Sequence, residues 1–418
     1  MSSLIPQLSR KAWIVLGADA VSALGNGMII PFLVIYLRDA RGFPIEQAGL
    51  MLSTVAVAGL VVAPTTGWLI DKVGARKVLM LSLSLAAIAA GSLIYVDALW
   101  EGYAWALLFG VSISSMWPAA HAFMASVVDP SQRAAVYSVH FALLNAGIGL
   151  GAIIGGLLVD ASRPQSFMTV FLIDALTFVI YVAVLRFAVE IDPRPARSDA
   201  EETGLQSWQR LFRDTSFMRV FALSVVLITV GYAQLQSSFP AFATKEGGLS
   251  TRGLGIVYAV NTIVIVGIQL VVLRGLSGRR RSGAMAAVGV LWAGAWVVTA
   301  VAGGIGGGLI AVLLFVAASG IFAMGETFMQ AALPALVNDL APDDLRGRYN
   351  AAYSLTWSIG NMLGPALGGF LLGAGRGAEL FLLMAFVSGA AAIYSIRLAR
   401  FLPAGTDVFA PATSPAAT

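Results

Sequence analysis

Long apolar runs follow one another along most of this chain, from Trp13 to Phe401. Each is about 20 residues long, the length that crosses a hydrocarbon layer about 30 Å thick. Lipid offers no hydrogen-bond partners, so the backbone N–H and C=O groups of each run must bond to one another, as they do in an α-helix. The runs therefore predict an all-α integral membrane protein.

The composition argues against several other classes of protein. Hydrophobic residues make up 58% of the chain and charged residues 11%, against roughly half and a quarter in a soluble domain. Cysteine is absent and the two histidines lack the spacing of metal ligands, so we expect no disulfide, no metal and no cofactor. The net charge of +4 reflects membrane topology, and no nucleic-acid surface is expected.

The runs predict twelve transmembrane helices in two pseudo-symmetric six-helix bundles. The helices are placed at 12–37, 46–69, 77–97, 102–127, 134–160, 166–187, 217–242, 251–275, 284–303, 308–337, 348–373 and 379–401. The N-terminal bundle takes residues 1–189 and the C-terminal bundle 216–402, with a cytoplasmic linker at 190–215 and a flexible cytoplasmic tail at 403–418. An amphipathic piece from Ser207 to Arg219 is expected to lie on the membrane surface.

The distribution of Lys and Arg predicts that both termini are cytoplasmic, because basic residues near helix ends are retained on that side. With this orientation 20 of the 26 basic residues lie inside. The others are Arg38, Arg41, Arg163, Lys245, Arg252 and Arg376. We expect a multi-pass protein of a bacterial inner (plasma) membrane, with its first helix retained because that span contains Asp19 and lacks a small-residue cleavage site.

An internal repeat links the two halves. Arg133, Gly147, Gly151, Gly155 and Gly156 recur 213 residues later as Arg346, Gly360, Gly364, Gly368 and Gly369. Glycine at every fourth position forms a smooth strip along one helix face, which lets another helix approach closely. The fifth predicted helix therefore mirrors the eleventh, and two related halves with substrate between them are a recurring plan of transporters.

The loop after the second helix carries the segment GWLIDKVGARK at 67–77. We expect Gly67 to let a neighbouring helix come close, Asp71 to face a positive helix N-terminus, and Gly74 to permit a tight turn. The segment resembles the signature loop of the major facilitator superfamily, G-x-L-x-D-R/K-x-G-R-R/K. The resemblance implies the fold of that family and a transporter that works by alternating access.

The resemblance also implies a conformational latch made by the following residues. They are Gly67, Asp71, Gly74, Arg76 and Asp129. In the family the loop aspartate meets the start of the eleventh helix in the outward-open state, which is residues 346–350 here. Asp129 would form a charge cluster with Arg76, weakened because Ala75 stands where the family usually has Arg. The equivalent loop of the second half, 274–281, keeps its positive charge and lacks the acid.

The fifth helix carries NAGIGLGAIIGG at 145–156, which resembles the glycine-rich motif of drug:proton antiporters. Ala152 replaces its usual Pro, and Pro365 supplies that residue in the other half. LGNGMIIP at 24–31 also resembles a pattern of the twelve-helix drug:proton antiporter branch. The resemblance implies that the glycines of these helices pack the two domains together, above all Gly147, Gly151, Gly155, Gly364 and Gly368.

Three acidic residues lie inside the predicted helices, away from the helix ends: Asp19, Asp174 and Glu326. A charge at the bilayer centre costs at least roughly 2.5–3.5 kcal/mol on insertion scales, so each acid is a candidate for proton coupling. In the antiporter branch an acid at the position of Asp19 often titrates. Glu326 is in the tenth helix, which lines the cavity in this family, and a proton or substrate role competes there with a structural hydrogen bond. Asp174 is in the sixth helix, where a paired, structural role is favoured.

Neutral polar and aromatic side chains on the first, fourth, seventh and tenth helices are candidates for lining the substrate cavity. They are Asn26, Trp117, His121, Gln234, Gln236 and Gln330. Broad-specificity binding uses a roomy apolar site with a few polar anchors of this kind. We interpret His121 and His140 as local hydrogen-bonding residues rather than proton carriers, because both lie near the cytoplasmic ends of their helices.

These patterns predict a proton-coupled exporter of small amphiphilic or cationic compounds, of the multidrug type. The alternative is a proton symporter or facilitator for a neutral metabolite such as a sugar. Every Lys and Arg lies near a helix end, which argues against an anionic substrate. An enzyme is not expected, since the sequence shows no combined set of nucleophile and base, no metal constellation and no ATP-binding motif. The expected partners are a small-molecule substrate, protons and membrane lipids, and we expect a monomer.

Overall fold

A computed structural model describes residues 8–128, 132–161, 163–188, 205–342 and 345–409. The long helices, numbered in chain order, are α1 (Arg10–Ala40), α2 (Ile45–Val73), α3 (Ala75–Tyr95), α4 (Leu99–Ser126), α5 (Arg133–Leu158), α6 (Pro164–Phe187), α7 (Thr215–Val230, Tyr232–Gln236 and Ser238–Lys245), α8 (Thr251–Leu276), α9 (Arg281–Ile305), α10 (Gly308–Leu340), α11 (Arg346–Gly373) and α12 (Gly377–Leu398). Within the described residues there is no β-strand, and the one isolated bridge joins Arg280 to Val408.

Eleven of the described helices are long and apolar enough to cross a membrane, and the chain is a multi-pass membrane protein. The remaining long helix, α11, has 28 residues and is more polar. Each predicted helix overlaps one of those observed, with ends that differ by a few residues. The apolar runs were therefore a sound guide to helix position.

Two of the helices depart from regular α geometry. α1 passes through a 3-10 turn at Ile30–Phe32, where Pro31 has no N–H to donate, and it ends in a π turn. α7 breaks at Gly231 and again at Ser237, where ψ falls to −93° and −69°. A Cβ at Gly231 would overlap the ring of Trp292. The chain therefore bends at a glycine where an aromatic side chain presses against its backbone.

The chain forms two compact units. Described residues 8–188 and Ser250–Ala259 make the first unit, and residues 205–249 and 260–409 make the second. In the first unit α1 packs on α5 and α6, α4 packs on α2 and α3, and α3 packs on α6. In the second unit α7 packs on α11 and α12, and α9 packs on α10 and α12. Several helix pairs of the first unit thus recur in the second, six helices later.

The glycine strip of α5 packs against α1, inside the first unit. A Cβ at Gly147 would lie 2.8 Å from the Ala20 carbonyl oxygen, and one at Gly151 would overlap the Leu24 carbonyl oxygen. Gly155 lies against Met28 in the same way. The prediction that these glycines pack the two domains together is therefore wrong for these three contacts. They bring α1 and α5 close enough for side chains next to the strip to meet.

The corresponding glycines of α11 pack against α7, inside the second unit. A Cβ at Gly364 would overlap that of Ala233, and one at Gly368 would overlap the Ser238 hydroxyl. Gly360 lies against Ile228. The spacing of 213 residues seen in the sequence thus corresponds to the same local arrangement, a helix laid on the first helix of its own unit.

The signature loop between α2 and α3 turns at Gly74, whose φ of 92° lies in the left-handed region. The Arg76 guanidinium donates to the carbonyl oxygens of Leu185 and Arg186 at the end of α6. Asp71 is exposed. Within the described part of the first unit, nothing lies within 4 Å of a Cβ built at Gly67, so the expected close helix neighbour is not found there. The predicted charge cluster with Asp129 falls outside the described residues.

The equivalent loop of the second unit, between α8 and α9, is hydrogen-bonded to the C-terminal segment. The Asp407 carboxylate accepts hydrogen bonds from the backbone N–H and the hydroxyl of Ser282, both at 2.8 Å, at the start of α9. Arg281 is paired with Asp339 at 2.6 Å, and its guanidinium lies over the Phe409 ring. The tail was predicted to be flexible, yet its described part is hydrogen-bonded to this loop. Residues 410–418 lie outside the described residues.

The described part of the predicted linker is a short helix, Leu205–Arg213, followed by Asp214. Leu211 of this helix is buried whereas Phe212 is exposed, as a helix at an interface requires. Asp214 caps α7 by accepting from the N–H groups of Ser216 and Phe217. The rest of the linker, residues 190–204, lies outside the described residues.

Candidate functional site

In the first unit the acid of α1 is paired with an imidazole of α5. The Asp19 carboxylate lies 3.1 Å from Nδ1 of His140. The side chain of Asp19 is 14% exposed and that of His140 is 5% exposed. This approach depends on the glycine strip, because Gly147 lies against Ala20 and Ala23, next to Asp19 on α1. Two ionisable groups therefore meet inside the first unit.

A second imidazole extends this pair toward the protein surface. The ring centroids of His121 and His140 are 5.6 Å apart. Trp117 contacts both rings edge-on, with centroid distances of 5.9 Å and 6.2 Å. His121 is exposed whereas His140 is buried. The two histidines thus lead from an exposed position to the buried carboxylate.

Tyr181 of α6 approaches the Asp19 carboxylate from another helix. Its side chain is buried, and its hydroxyl forms no hydrogen bond of good geometry with the described residues. The two ring nitrogens of His140 likewise form no hydrogen bond of good geometry with the described residues, although Nδ1 lies 3.1 Å from the Asp19 carboxylate. These groups are free to exchange hydrogen bonds as the carboxyl group gains or loses a proton.

In the second unit the acid of α10 has uncharged partners. Glu326 interacts with the hydroxyl of Tyr232, on the broken part of α7, and with the amide of Asn261 on α8. The Tyr232 hydroxyl also accepts a hydrogen bond of 2.9 Å from Nε2 of Gln330. The Asn261 Nδ2 forms no hydrogen bond of good geometry with the described residues, so the cluster is a carboxyl group next to neutral polar groups.

An aromatic wall stands around this second acid. The Tyr232 ring lies 4.8 Å from Trp357 and 5.8 Å from Trp292, measured between centroids. Trp292 stacks on Phe322 at 4.6 Å and donates from Nε1 to the Phe322 carbonyl. Gly325 makes room for this indole, because a Cβ there would come within 2.6 Å of Nε1. Trp292 and Phe322 are buried and Trp357 is partly exposed, so Trp357 is the ring of this wall that can contact an apolar or cationic molecule.

Among the other predicted cavity residues, Gln234 does not fit its prediction. It is fully buried, and its Nε2 donates to the carbonyl oxygens of Thr229 and Gly364, each at 3.1 Å. The side chain therefore joins α7 to α11, because the break in α7 leaves the Thr229 carbonyl without its helical donor. Gln236, two residues on, is exposed. Asn26 lies apart from both clusters, with Nδ2 donating to the Ser22 carbonyl at 3.3 Å.

Asp174 also lies apart from these clusters, buried in α6 with 1% of its surface exposed. Among the described residues no group of three or more His, Asp or Glu is placed to hold a metal ion. The arrangement is suited to binding and releasing protons, at a carboxyl–imidazole pair in one unit and at a carboxyl–phenol cluster in the other.

Sequence reasoning missed His140, Tyr181 and Tyr232 as members of these clusters. The signal for His140 was present in the spacing, because it lies seven residues before Gly147 and so on nearly the same face of α5. Tyr181 lies seven residues after Asp174 on α6, so the same spacing argument places it on nearly the same helix face as that acid. Tyr232 gave no such signal, since its position depends on the break at Gly231.

Comparison with known proteins agrees with this architecture. A family model described as the Major Facilitator Superfamily matches residues 15–323 and, in an overlapping match, 278–416. The chain is 24% identical over 378 residues to the uncharacterized MFS-type transporter YqjV of Bacillus subtilis (strain 168), covering 88% of this chain and 89% of that protein.

It is also 30% identical over 271 residues to the tetracycline resistance protein, class D, of Salmonella ordonez, covering 62% of this chain and 67% of that protein. The crystal structure of the nucleoside transporter NupG has the same fold, with a TM-score of 0.77 at 14% identity over 94% of this chain and 100% of that chain. The chain therefore belongs to the Major Facilitator Superfamily, and it is a transporter rather than an enzyme.

Proposed function

We propose that this transporter exports small amphiphilic or cationic compounds in exchange for protons, by alternating access. The observation that carries the proposal is the pair formed by Asp19 and His140, 3.1 Å apart between α1 and α5. Burial favours the uncharged form of a carboxyl group, and an adjacent imidazolium favours the charged form. A pair of this kind can take up one proton and release it when its surroundings change.

The second unit supports a cationic or amphiphilic substrate. Ionised Glu326 would have no cationic partner among the groups that interact with it, Tyr232 and Asn261. A buried unpaired charge is costly, so a substrate cation is a suitable counter-ion, and the aromatic wall is suited to its apolar part. Similarity to a tetracycline resistance protein points in the same direction.

A neutral metabolite such as a sugar is the alternative substrate, and the hydrogen bonding of Gln234 argues against it. Sugar recognition needs several free hydrogen-bonding side chains, and Gln234 is already committed to two backbone carbonyls. We further propose twelve spans in two pseudo-symmetric bundles, with both termini cytoplasmic in a bacterial plasma membrane. One chain then supplies a complete pathway, and Asp71 is the latch residue of the signature loop.

Proteoliposomes that contain the full-length protein and an internal pH indicator test the proposal. A lipophilic cationic dye, tetracycline and a neutral sugar are each added under an imposed pH gradient, with protein-free liposomes as the control. We expect the dye to move against the proton flux and to change the internal pH in the direction of exchange. Movement of the sugar together with protons would support the alternative, and dye movement without any change of pH would contradict proton coupling.

A further inference from the structure

A small, partly open cavity lies within the first unit, among α1, α3, α4 and α6. Its volume is about 20 Å³, which is room for one water molecule but not for a larger ligand. Most of its lining is apolar, including Ile30, Leu93 and Phe109. Three polar residues also line it: Asn26, Trp105 and Asp174. A cavity that holds a water molecule needs polar partners of this kind, whereas a wholly apolar one stays dry.

Two of these polar residues are buried with unused hydrogen-bonding atoms. Asp174 is 1% exposed, and its Oδ1 has no hydrogen-bond partner among the described residues. Trp105 is 3% exposed, and its Nε1–H is equally without a partner there. Thr177 is close by, but its hydroxyl donates to the backbone carbonyl of Asp174 at 2.7 Å, so its one proton is already in use. Buried polar atoms without partners are costly and rare in native proteins.

The sequence around the cavity preserves its space. A Cβ at Gly25 would overlap Oδ1 of Asp174 and come within 2.6 Å of the Thr177 hydroxyl. Glycine at this position therefore lets the carboxyl group lie against the backbone of α1. The indole of Trp105 is stacked on Phe109 at 5.4 Å with an interplanar angle of 15°, which fixes the direction of its N–H.

We propose that this cavity is a binding site for a single water molecule. The water accepts a hydrogen bond from Nε1–H of Trp105 and donates to Oδ1 of Asp174 and to the amide oxygen of Asn26. That oxygen is the free acceptor of Asn26, whose Nδ2 already donates to Ser22. Three hydrogen bonds are the usual number for a buried water. Asp174 is then a solvated acid, whereas the sequence favoured a paired, structural role.

The proposed site goes beyond the transport function, because it requires neither substrate nor a proton gradient. It lies two helical turns from the Asp19 cluster along α1 and along α6, two of the helices that contribute to that cluster. Asn26 follows Asp19 by seven residues on α1, and Asp174 precedes Tyr181 by seven residues on α6. Seven residues of α-helix span about 10 Å, so the water is separate from the carboxyl–imidazole pair.

Radiolytic hydroxyl labelling of the full-length protein in detergent, read by mass spectrometry, tests the proposal. Hydroxyl radicals are formed from water, so a buried side chain is labelled only where a water molecule contacts it. We expect Trp105 to be labelled at least about three times more than Trp296. Trp296 is the matched control, because it is 1% exposed with an equally unpartnered Nε1 and packs on Phe322 and Phe381. Equal labelling of the two tryptophans would mean a dry cavity and would overturn the proposal.

Two variants separate a bound water from transient opening of the helices. Asp174→Asn keeps an acceptor of the same shape, and we expect the labelling of Trp105 to persist. Asp174→Leu removes the acceptor, and the labelling should fall to that of Trp296, with size-exclusion chromatography as the check on folding. Persistent labelling of Trp105 in a folded Asp174→Leu protein would contradict the proposal. If that variant does not fold, the comparison of Trp105 with Trp296 in the unmodified protein still decides.

Discussion

The two units hold their central acids in different chemical surroundings. Asp19 in the first unit lies beside an imidazole that can itself become charged, whereas Glu326 in the second unit lies beside a phenol and an amide. When Asp19 ionises, an imidazolium can balance its charge. When Glu326 ionises, the balancing charge must come from elsewhere, because an unpaired buried charge is costly. On the proposed function, the difference means that the carboxyl group on α1 exchanges a proton with its imidazole partner, whereas the one on α10 takes a cation as its partner.

The largest effect is expected from Asp19→Asn, which keeps the shape of the side chain and removes its proton chemistry. We expect transport driven by a pH gradient to fall about 100-fold, on the order of 2.7 kcal/mol in activation free energy. Substrate binding should change little. Dye flux in proteoliposomes and equilibrium binding in detergent measure the two quantities. Asp97→Asn is the control, because Asp97 is exposed and pairs with Arg41. Unchanged gradient-driven transport in Asp19→Asn would remove the proposed role of this pair.

The second prediction concerns Glu326→Gln, which removes the charge of the second cluster and keeps the shape of the side chain. We expect the affinity for a cationic dye to fall about 10-fold, or about 1.4 kcal/mol, and the affinity for an uncharged analogue to be unchanged. Isothermal titration with the matched pair of ligands measures the difference. Glu379→Gln is the control, since Glu379 is exposed. Equal losses for both ligands would show that Glu326 does not distinguish charge.

The third prediction separates the two imidazoles of the first unit. His140→Gln removes the imidazole partner of Asp19, so we expect transport to depend less on the imposed pH gradient. The rate should fall about threefold, or about 0.6 kcal/mol. His121→Gln is the matched variant and should have a smaller effect, because His121 is exposed and lies beyond His140. The pH profile of dye flux measures both, and an unaltered profile in His140→Gln would contradict a proton role.

The signature loop and the equivalent loop of the second unit also differ, and the fourth prediction rests on that difference. The first loop carries its own acid, Asp71, whereas the second receives Asp407 from the C-terminal segment. Asp407→Ala removes the cap of α9, so we expect a loss of about 1 kcal/mol in unfolding free energy. The melting temperature should fall by about 2–4 °C. Ser282→Ala keeps the bond to the backbone N–H and should show about half the effect. No shift in either variant would mean that the segment does not stabilise α9.

The fifth prediction has the smallest expected effect, on thermal stability. It concerns Glu246, a partly buried acid outside the membrane-spanning segments. Burial raises the pKa of Glu246 above its ordinary value of 4.5, and Glu379 adds to the rise while Lys245 opposes it. A raised folded-state pKa means that stability is full below the unfolded pKa and is lost as pH rises through the folded pKa. Glu246→Gln imitates the protonated form, so it should raise the melting temperature slightly at pH 8 and leave it unchanged near pH 4. Equal effects at both pH values would point to packing instead of ionisation.

Much of the fold was accessible from the sequence, since apolar runs mark helices and the repeated glycines relate α5 to α11, although they did not show that these strips pack on α1 and α7. The candidate site was accessible only in part. Asp19 and Glu326 stand out because acids are rare in such runs, but the sequence does not say which helix face meets which. Gln234 was misassigned for this reason, since the break at Gly231 turns its amide toward α11. His140 was undervalued because its partner lies on another helix, more than a hundred residues earlier in the chain.

The contact between the C-terminal segment and the second loop has a practical consequence for handling the protein. The Phe409 N–H donates to the Arg279 carbonyl, and the Gly278 N–H donates to the Phe409 carbonyl, so the segment is bound up to this residue. An affinity tag or fluorescent protein attached before Asp407 would displace the cap of α9 and lower the yield of folded protein. Fusions should therefore begin beyond Phe409, and a purification strategy that trims the tail should leave residues 403–409 in place.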